Sequence, residues 1–512
     1  MRKTNQVNQL RTGVFLSYVN LGISCIIPFL YTPVMMHMLG QAEYGLYCLA
    51  NSVISYLTLL SFGFGSTIIR YISKYRAEKN REAVCRTFGF FLQLYTFLGI
   101  LVFGVGLIIA NNVEVIFRKG LTTSEIDKIH TLIIIMAFNT ALSFPISVFS
   151  SIITSYERYV YRKLIDMIST IAAPIFNLVT LYMGFASIGM SIASTILQIL
   201  ILPLNIIYCF RILKINPKFK RIPYSLIKEM LGFSFYVFLG TIVDMLFWST
   251  DKVILGMLAS STAIAVYNIG GTFNNMVISL STSISGVLTP KITGMVATDV
   301  SKDQFTELFI RIGRLQYFVI ALIISGFSVF GQSFIQLWAG SEYADAYWIA
   351  ILTMFPLCIP LIENTGLSIV IAQNKHKFRS IVYLIIAIFN VVSTYLVVPY
   401  LGGIGAALCS CIAYLVGQGF IMNIYYYRVT RINIPLFWKN IGKMSIVPGS
   451  MLLLGIIINK KIILNRWSLF FTSIVIYSLI YCIIMYKFVL NHYEKNIVRK
   501  PLLVIKEHFI SK

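Results

Sequence analysis

Long apolar runs with very few charged residues recur along this 512-residue chain. A helix needs ~20 mainly apolar residues to cross the hydrocarbon core of a bilayer, and segments of that kind follow one another with short polar connectors between them. Hydrophobic residues make up 57% of the chain and charged residues 12%, whereas soluble domains contain about 25% charged residues. The sequence therefore predicts an all-α, polytopic membrane protein.

Fourteen segments meet this criterion. The first is too long for a signal peptide and has no small-residue cleavage site after it, so we expect it to be retained as a membrane span. The predicted spans are residues 13–37, 46–70, 88–111, 129–154, 164–183, 187–210, 231–257, 264–290, 315–338, 347–371, 380–399, 403–427, 443–459 and 467–487.

Lysine and arginine are distributed unevenly among the connectors. The two termini and the even-numbered loops, together with Lys443 and Lys487 at adjoining span ends, contain 34 of the 42 basic residues, and the odd-numbered loops contain six. Cytoplasmic loops of membrane proteins carry such an excess, so we expect both termini and every even loop in the cytoplasm. The net charge of +23 then follows from membrane topology and does not indicate a nucleic-acid partner.

Internal matches indicate a duplicated chain. The segment "EYGLYCLANSVISYLTLLSFGFGSTIIRYISKY" from Glu43 aligns without gaps with "AIAVYNIGGTFNNMVISLSTSISGVLTPKITGM" from Ala263, and two shorter matches follow in the same order. Spans 1–6 and 7–12 are therefore predicted to be homologous halves of equal orientation, with a substrate site between them. The predicted domains are an N-lobe at 1–213, a cytoplasmic linker at 214–230, a C-lobe at 231–428, and two further spans with a basic tail at 429–512.

Acidic residues inside spans are costly and mark candidate functional positions. Asp244 lies midway along span 7 with Trp248 one turn later, and we read the pair as a coupling acid and a stacking surface for a sugar ring. Glu363 lies in span 10 after two prolines that can kink the helix and open a cavity. Asp251 lies near the outer end of span 7, where we expect a partner on a neighbouring helix and an outer gate. The alternative for each acid is a structural hydrogen bond between helices.

Polar and basic side chains complete the candidate set. Cations at the cytoplasmic span ends suit a diphosphate or anionic headgroup, or they simply snorkel to the inner headgroups; they are Arg70, Lys291, Arg311 and Arg314. Uncharged candidates for sugar hydroxyls, or for interhelical hydrogen bonds, are Asn20, Tyr31, Asn139, Asn274 and Asn275. The basic linker between the halves is an ordinary cytoplasmic connector or a contact for anionic lipid headgroups. The histidines are scattered, and no CxxC or Cys/His cluster occurs, so no metal site is expected.

These features together resemble a known family. The 6+6+2 plan, "LGQAEYGLY" after span 1, "TDKVILG" closing span 7 and "GGIGAA" opening span 12 are similar to the polysaccharide transporters of the multidrug/oligosaccharidyl-lipid/polysaccharide (MOP) flippase superfamily. The resemblance covers nearly the whole chain. It implies a MATE-like fold and a transporter, not an enzyme, in the bacterial plasma membrane.

The resemblance also implies a substrate and a mechanism. Such proteins flip undecaprenyl-diphosphate-linked oligosaccharides from the inner to the outer leaflet by alternating access, for O-antigen, capsule or exopolysaccharide assembly. No cofactor is implied beyond coupling to protons, Na⁺ or the membrane potential. Implied partners are the lipid-linked oligosaccharide, membrane lipids, and the polysaccharide polymerase and chain-length machinery, with a monomer as the functional unit.

Two other functions remain open on the sequence. A cation-coupled multidrug exporter would use the same fold, although drug exporters of the superfamily typically have twelve spans. A membrane glycan polymerase or ligase would need a sizeable outer loop, and the outer loops here are short.

Overall fold

A computed structural model describes residues 2–220, 223–286, 295, 302–373, 375–459 and 466–496, and every regular element among them is helical. We number the principal helices α1 to α18 in chain order. They are α1 Arg2–Leu39, α2 Gln41–Leu57, α3 Phe64–Ala77, α4 Arg81–Asn111, α5 Val113–Phe117, α6 Thr123–Ser155, α7 Tyr159–Tyr182, α8 Ala186–Ile207, α9 Tyr224–Trp248, α10 Thr250–Leu258, α11 Ser261–Gly286, α12 Lys302–Trp338, α13 Ala346–Ile362, α14 Asn364–Ala372, α15 His376–Tyr414, α16 Met422–Tyr425, α17 Ile434–Asn459 and α18 Trp467–Ile484.

The part of the chain that the structure describes contains eleven helical segments that are long and apolar enough to cross a membrane, some of which join consecutive helices. The number is twelve if the bent pair α13 and α14 forms one span. The all-α polytopic prediction is confirmed, but the count of fourteen is not. One segment, Phe378–Thr430, has 53 residues and joins the predicted spans 380–399 and 403–427. At 1.5 Å per residue it is about 80 Å long, more than twice a ~30 Å hydrocarbon core. Gly402, with φ 53° and ψ −138°, breaks its helical geometry. The predicted span 264–290 runs beyond the described residues.

The chain forms two compact units. The first contains Met1–Ala265 with Thr394–Gly403, and the second contains Val266–Ser393 with Ile404–Lys512. These units are defined by contacts, whereas the predicted domains follow sequence repeats, so the domain boundaries stay a prediction. Helices α9 and α10, which open the second sequence repeat, belong to the first unit.

Small residues let helices approach closely in the first unit. A Cβ atom added to Gly99 of α4 would lie 2.7 Å from the carbonyl oxygen of Ala141 on α6, and one added to Gly106 would lie 2.3 Å from the Cβ atom of Ala137. The two glycines are two helical turns apart, so they form one face of α4 that contacts α6. Close packing of this kind is what holds membrane helices together, because lipid supplies no hydrophobic driving force.

The second unit has its core around α12. Its buried cluster joins α12, α17 and α18 and consists of Val329, Met444, Val447, Met451, Tyr477, Tyr481 and Met485. The Tyr481 hydroxyl donates a hydrogen bond of 2.9 Å to the carbonyl oxygen of Phe318. The last two helices, which fall outside the sequence repeat, therefore pack on a helix of the second half.

Candidate functional site

The seventh predicted span is broken next to an acid. Helix α9 ends at Trp248, α10 begins at Thr250, and Asp251 lies in the first turn of α10. Asp251 is 1% exposed, and the hydroxyl of Thr394 donates a hydrogen bond of 3.4 Å to its Oδ1 atom. The sequence predicted a partner on a neighbouring helix, and Thr394 on α15 has that position within the first unit. Its role as an outer gate stays a prediction.

Asp244 and Trp248 lie on one face of α9, as their spacing predicted. The Asp244 side chain is exposed and Trp248 is half-buried. A carboxylate in the middle of an apolar helix is costly unless it meets water or a polar partner. The roles of Asp244 as a coupling acid and of Trp248 as a stacking surface stay predictions.

Hydroxyl groups connect α9 and α10 to the helices of the second predicted span. Ser55 donates to Ser249 over 3.1 Å, the hydroxyls of Tyr56 and Thr250 are 2.5 Å apart, and further along the helices those of Thr67 and Ser234 are 2.6 Å apart. We call these three pairs the hydroxyl seam. Polar side chains that bond across helices fix their register in a membrane.

Glycines extend the contact at the seam. Gly63, with φ +67°, lies so close to α9 that an added Cβ atom would be 2.7 Å from Cγ1 of Val237. Gly120 packs against the carbonyl group of Gly256, where an added Cβ atom would lie 2.1 Å from its oxygen. Helix α9 and helix α10 are thus both fastened within the first unit.

The tenth predicted span is also broken at an acid. Helix α13 ends at Ile362, α14 begins at Asn364, and Glu363 lies between them where the helices bend by 47°. Pro356 and Pro360 precede the break, as the sequence indicated. Glu363 is 2% exposed.

Within the described part of the chain, neither Glu363 carboxyl oxygen has a hydrogen-bond partner, and the hydroxyl of Thr365 has none either. The amide of Asn423 lies beside the carboxyl group. That amide already donates to the carbonyl oxygen of Gly419 over 2.9 Å and accepts from the Trp438 indole over 2.9 Å. A buried carboxyl group without donors is stable when it is protonated or when a cation accompanies it.

The predicted anion-binding cations differ in their surroundings. Arg314 is 8% exposed and forms a two-pronged ion pair with Glu494, with nitrogen–oxygen distances of 2.6 and 2.8 Å. The Arg311 guanidinium lies 3.5 Å from the ring centre of Tyr493. Both arginines therefore hold the segment that follows α18. Arg70 is exposed at the end of the second predicted span, and Lys291 lies outside the described residues.

The uncharged candidates also differ in how far their side chains are buried. Asn274 is 1% exposed and donates to the Thr353 hydroxyl over 2.8 Å, which links α11 to α13. Asn275, next to it, is exposed. Asn139 is half-buried on α6.

Tyr31 and Asn20 both belong to α1. The Tyr31 hydroxyl lies close to the side chain of Asn177 on α7, and Asn20 has a buried side-chain oxygen with no hydrogen-bond partner among the residues described here. Of the uncharged candidates, Asn275 is the one whose side chain is most open to a ligand.

Sequence reasoning missed a polar cluster that joins three odd-numbered connectors of the first unit. Glu43 accepts a hydrogen bond of 2.6 Å from the Ser187 hydroxyl and pairs with Lys128. Glu125, one turn before Lys128, accepts a hydrogen bond of 2.5 Å from the Ser261 hydroxyl. Thr122 and Glu125 form a capping box, T-x-x-E, at the start of α6, and this motif was a local signal in the sequence that fixes the position of Glu125.

The second unit contains a cavity of about 390 Å³ between α12, α13 and α17. Its walls are mainly aliphatic and aromatic, and they include Tyr317, Phe355, Ile359, Trp438 and Leu452. Such a lining suits hydrocarbon or an aromatic ligand better than a sugar. Among the described residues, no cluster of three or more His, Cys, Asp or Glu side chains has metal-binding geometry.

Known structures share this fold across most of the chain. The lipid II flippase MurJ in an inward closed conformation superposes with a TM-score of 0.73 at 18% identity, over 92% of this chain and 97% of that one. An inward-facing multidrug resistance MATE family transporter of the MOP superfamily gives 0.59 at 14% identity, over 82% and 99%. The MATE transporter VcmN of Vibrio cholerae gives 0.57 at 14% identity, over 84% and 99%. The protein thus has the fold of MOP-superfamily transporters, as the resemblance predicted.

Residues 10–296, more than half of the chain, match the family described as "Polysaccharide biosynthesis protein". The chain belongs to this family. An uncharacterized membrane protein of Methanocaldococcus jannaschii is 23% identical over 508 residues, which cover 95% of this chain and 97% of that protein. The chain is thus a multi-pass membrane protein of a polysaccharide-biosynthesis family, with the fold of a lipid flippase and of MATE transporters.

Proposed function

We propose that this protein flips a lipid-linked oligosaccharide, carried on undecaprenyl diphosphate, from the cytoplasmic to the outer leaflet for O-antigen, capsule or exopolysaccharide assembly. Family membership supports polysaccharide biosynthesis, and the MurJ-like fold supports a lipid-linked substrate. The functional unit is a monomer that passes its product to a polysaccharide polymerase and chain-length machinery.

A single observation carries the mechanism: the seventh and the tenth predicted spans are each broken at or beside a carboxyl group that is almost fully buried. Asp251 is 1% exposed and Glu363 is 2% exposed. Irregular backbone at membrane depth is tolerated where protein or a water-filled cavity surrounds it. Acids in such places are typical of proton and cation relays. We infer that protons or Na⁺ ions that reach these acids drive the alternation of the two halves.

The orientation belongs to the same proposal. Fourteen spans result if the long segment Phe378–Thr430 is divided at Gly402, the bent α13–α14 pair is one span, and α11 is counted as a further span. An even number places both termini on one side, and the excess of basic residues assigns that side to the cytoplasm.

Substrate binding begins at the cytoplasmic side in this scheme. Arg70 is an exposed cation at that side, and its guanidinium suits a diphosphate. Arg311 and Arg314 contact Tyr493 and Glu494 and have a structural role in this scheme. The glycan then needs a hydrated path, for which Asp244 and Asn275 supply exposed polar groups. The lipid tail stays in the bilayer.

Deletion of the gene tests the proposal. Cells that lack the protein are expected to accumulate the undecaprenyl-diphosphate-linked oligosaccharide in the inner leaflet and to lose the corresponding surface glycan. Both are measured by mass spectrometry of lipid extracts and by lectin or antibody staining of intact cells. Normal surface glycans in the deletion strain would contradict the proposal.

A multidrug exporter remains the second candidate. The aromatic cavity between α12, α13 and α17 favours it, because Tyr317, Phe355 and Trp438 suit a flat apolar cation. An exporter would raise the minimal inhibitory concentration of cationic dyes when the protein is overproduced, whereas an oligosaccharide flippase would leave it unchanged.

A further inference from the structure

The connector between the two sequence halves has a fixed path through residues 211–220, which we call the linker strap. Its first two residues end a π-helical turn at Tyr208–Ile212, and the rest runs without regular secondary structure. Ile215 anchors it, because this side chain is 2% exposed and its amide donates to the carbonyl oxygen of Cys209 over 3.1 Å.

Three contacts fasten the strap backbone to α4. The amide of Lys218 donates to the carbonyl oxygen of Cys85 over 2.9 Å, and Nη2 of Arg81 donates to the carbonyl oxygen of Lys214 over 2.5 Å. Gly89 provides the space, since an added Cβ atom would lie 2.3 Å from the carbonyl oxygen of Lys218. The backbones of Lys214 and Lys218 are thus held by bonds that do not involve their own side chains, and the Lys220 side chain adds an exposed contact to Glu82.

The side chains that the strap presents outward are basic and apolar. It contains no acid, and its four basic residues are all exposed: Arg211, Lys214, Lys218 and Lys220. Beside them, Ile212 is 56% exposed and Phe219 is 61% exposed. Lys220 lies 3.6 Å from Glu82, an acid that also bonds Arg86, so the local balance stays positive.

A neighbouring connector adds to the positive charge. The rings of Tyr161 and Tyr208 stack with their centres 3.7 Å apart, which joins the start of α7 to the π-helical turn that leads into the strap. The exposed Arg158 lies within electrostatic reach of the Tyr208 hydroxyl. Two connectors that the charge rule assigns to the cytoplasm therefore meet in one basic surface.

We propose that the linker strap is a docking surface for anionic phospholipid headgroups of the cytoplasmic leaflet. Clusters of lysine and arginine next to a membrane helix attract anionic lipids. Exposed Ile212 and Phe219 suit the boundary between headgroups and acyl chains, where aromatic and aliphatic side chains insert beside snorkelling lysines. A fixed backbone keeps the cations in place for binding without a large ordering cost. The inference rests on the proposed orientation and is independent of the transported substrate.

The test uses the purified full-length protein and phosphatidylglycerol. Native mass spectrometry from mixed micelles compares how much phosphatidylglycerol and how much phosphatidylcholine the protein retains. The comparison is made for the natural protein and for the double variant Lys214→Gln with Lys218→Gln. Glutamine leaves the strap backbone bonds in place. Loss of each basic residue is expected to lower the affinity for the anionic lipid about fivefold, so the preference for phosphatidylglycerol should fall at least tenfold in the double variant. Phe219→Ser should weaken retention of both lipids.

The matched control removes the same charge from the other side of the protein. Arg118 and Lys119 are both exposed in an odd-numbered connector, so Arg118→Gln with Lys119→Gln should leave the preference unchanged. An unchanged preference in the strap variant, or an equal loss in the control, would overturn the proposal. Displacement of phosphatidylglycerol by inorganic pyrophosphate would also overturn it, because the surface would then be a diphosphate site. This assay measures lipid binding and not transport. A protein that prefers phosphatidylglycerol as expected but does not flip the oligosaccharide would therefore contradict only the proposed function.

Discussion

Glu363 is 2% exposed, the Asn423 amide lies beside its carboxyl group, and neither carboxyl oxygen has a hydrogen bond of good geometry among the described residues. Such a carboxyl group has few stable states in a membrane. Either a proton neutralises it or a cation accompanies it. A reversible exchange between such states is what a coupled transporter requires, so the chemistry at this residue carries the coupling part of the proposal.

Replacement of Glu363 by glutamine separates coupling from packing. Glutamine has nearly the same shape but neither titrates nor carries charge, so Glu363→Gln and Glu363→Ala should both lower surface glycan display at least tenfold at normal protein levels. Staining of intact cells with a lectin measures the effect. Glu114→Gln, at an exposed acid in a connector, should display normal amounts. Normal display by Glu363→Gln would restrict Glu363 to a structural role.

Asp244 is expected to act differently because its side chain is exposed. Asp244→Ala should also lower surface glycan display, through loss of a polar group on the proposed hydrated path, with protein levels unchanged. Immunoblotting and the same lectin stain measure both quantities. Full display by this variant would remove Asp244 from the path.

Gly63 is a position where a single methyl group should destabilise the protein. Its φ of +67° is unfavourable for any residue with a Cβ atom, and the added atom would lie 2.7 Å from Val237. Gly63→Ala should cost about 1–2 kcal/mol and lower the unfolding temperature in detergent. Gly104 has no atom within 4 Å of an added Cβ, so Gly104→Ala should be neutral or slightly stabilising. Equal unfolding temperatures for the two variants would contradict this assignment.

At the scale of elements, the hydroxyl seam ties α9 and α10 to α2 and α3. Ser55 and Ser249 have their hydroxyl oxygens 3.1 Å apart, close enough for a disulfide after substitution of both by cysteine. In a background without the eight natural cysteines, Ser55→Cys with Ser249→Cys should cross-link on mild oxidation, and Ser55→Cys alone should not. Because both residues belong to one compact unit, transport should stay within about twofold. If cross-linking abolished transport and a reductant restored it, the helices joined by the hydroxyl seam would have to move relative to each other during transport.

The segment after α18 is held by a buried ion pair. Removal of one charge leaves the other buried and unpaired, so Glu494→Gln should cost about 3–5 kcal/mol and lower the unfolding temperature markedly. Glu82→Gln removes the acid from an exposed pair with Arg86 and should leave the unfolding temperature unchanged. Similar temperatures for both variants would show that the Arg314–Glu494 pair does not anchor the segment.

Local patterns predicted the helices and the breaks, but not the distant partners. The prolines before Glu363 indicated a broken helix, and the spacing of Asp244 and Trp248 gave their common face. The sequence contains no local sign that Arg314 pairs with Glu494, which lies 180 residues away. The basic residues at span ends were all predicted to bind an anion, because the sequence does not show which of them have distant partners. Only tertiary packing distinguishes the buried Arg314 from the exposed Arg70.

At the scale of the whole molecule, the long apolar runs were sufficient to predict the all-α polytopic class, and the span plan with three short motifs was sufficient to predict the family. The number of spans was harder to establish, because Gly402 bends a continuous helical segment without a polar loop. The attachment of the opening helices of the second repeat to the first compact unit also depended on hydroxyl and glycine contacts that no single segment reveals.

Reconstitution tests the central claim most directly. Purified protein is placed in liposomes with a fluorescent undecaprenyl-diphosphate-linked oligosaccharide, and membrane-impermeant quenching of the label measures its movement between leaflets. We expect movement faster than in protein-free liposomes, dependent on a proton or Na⁺ gradient, and reduced at least tenfold by Glu363→Gln. Movement equal to that in protein-free liposomes under every gradient, with protein that is folded and inserted, would contradict the account.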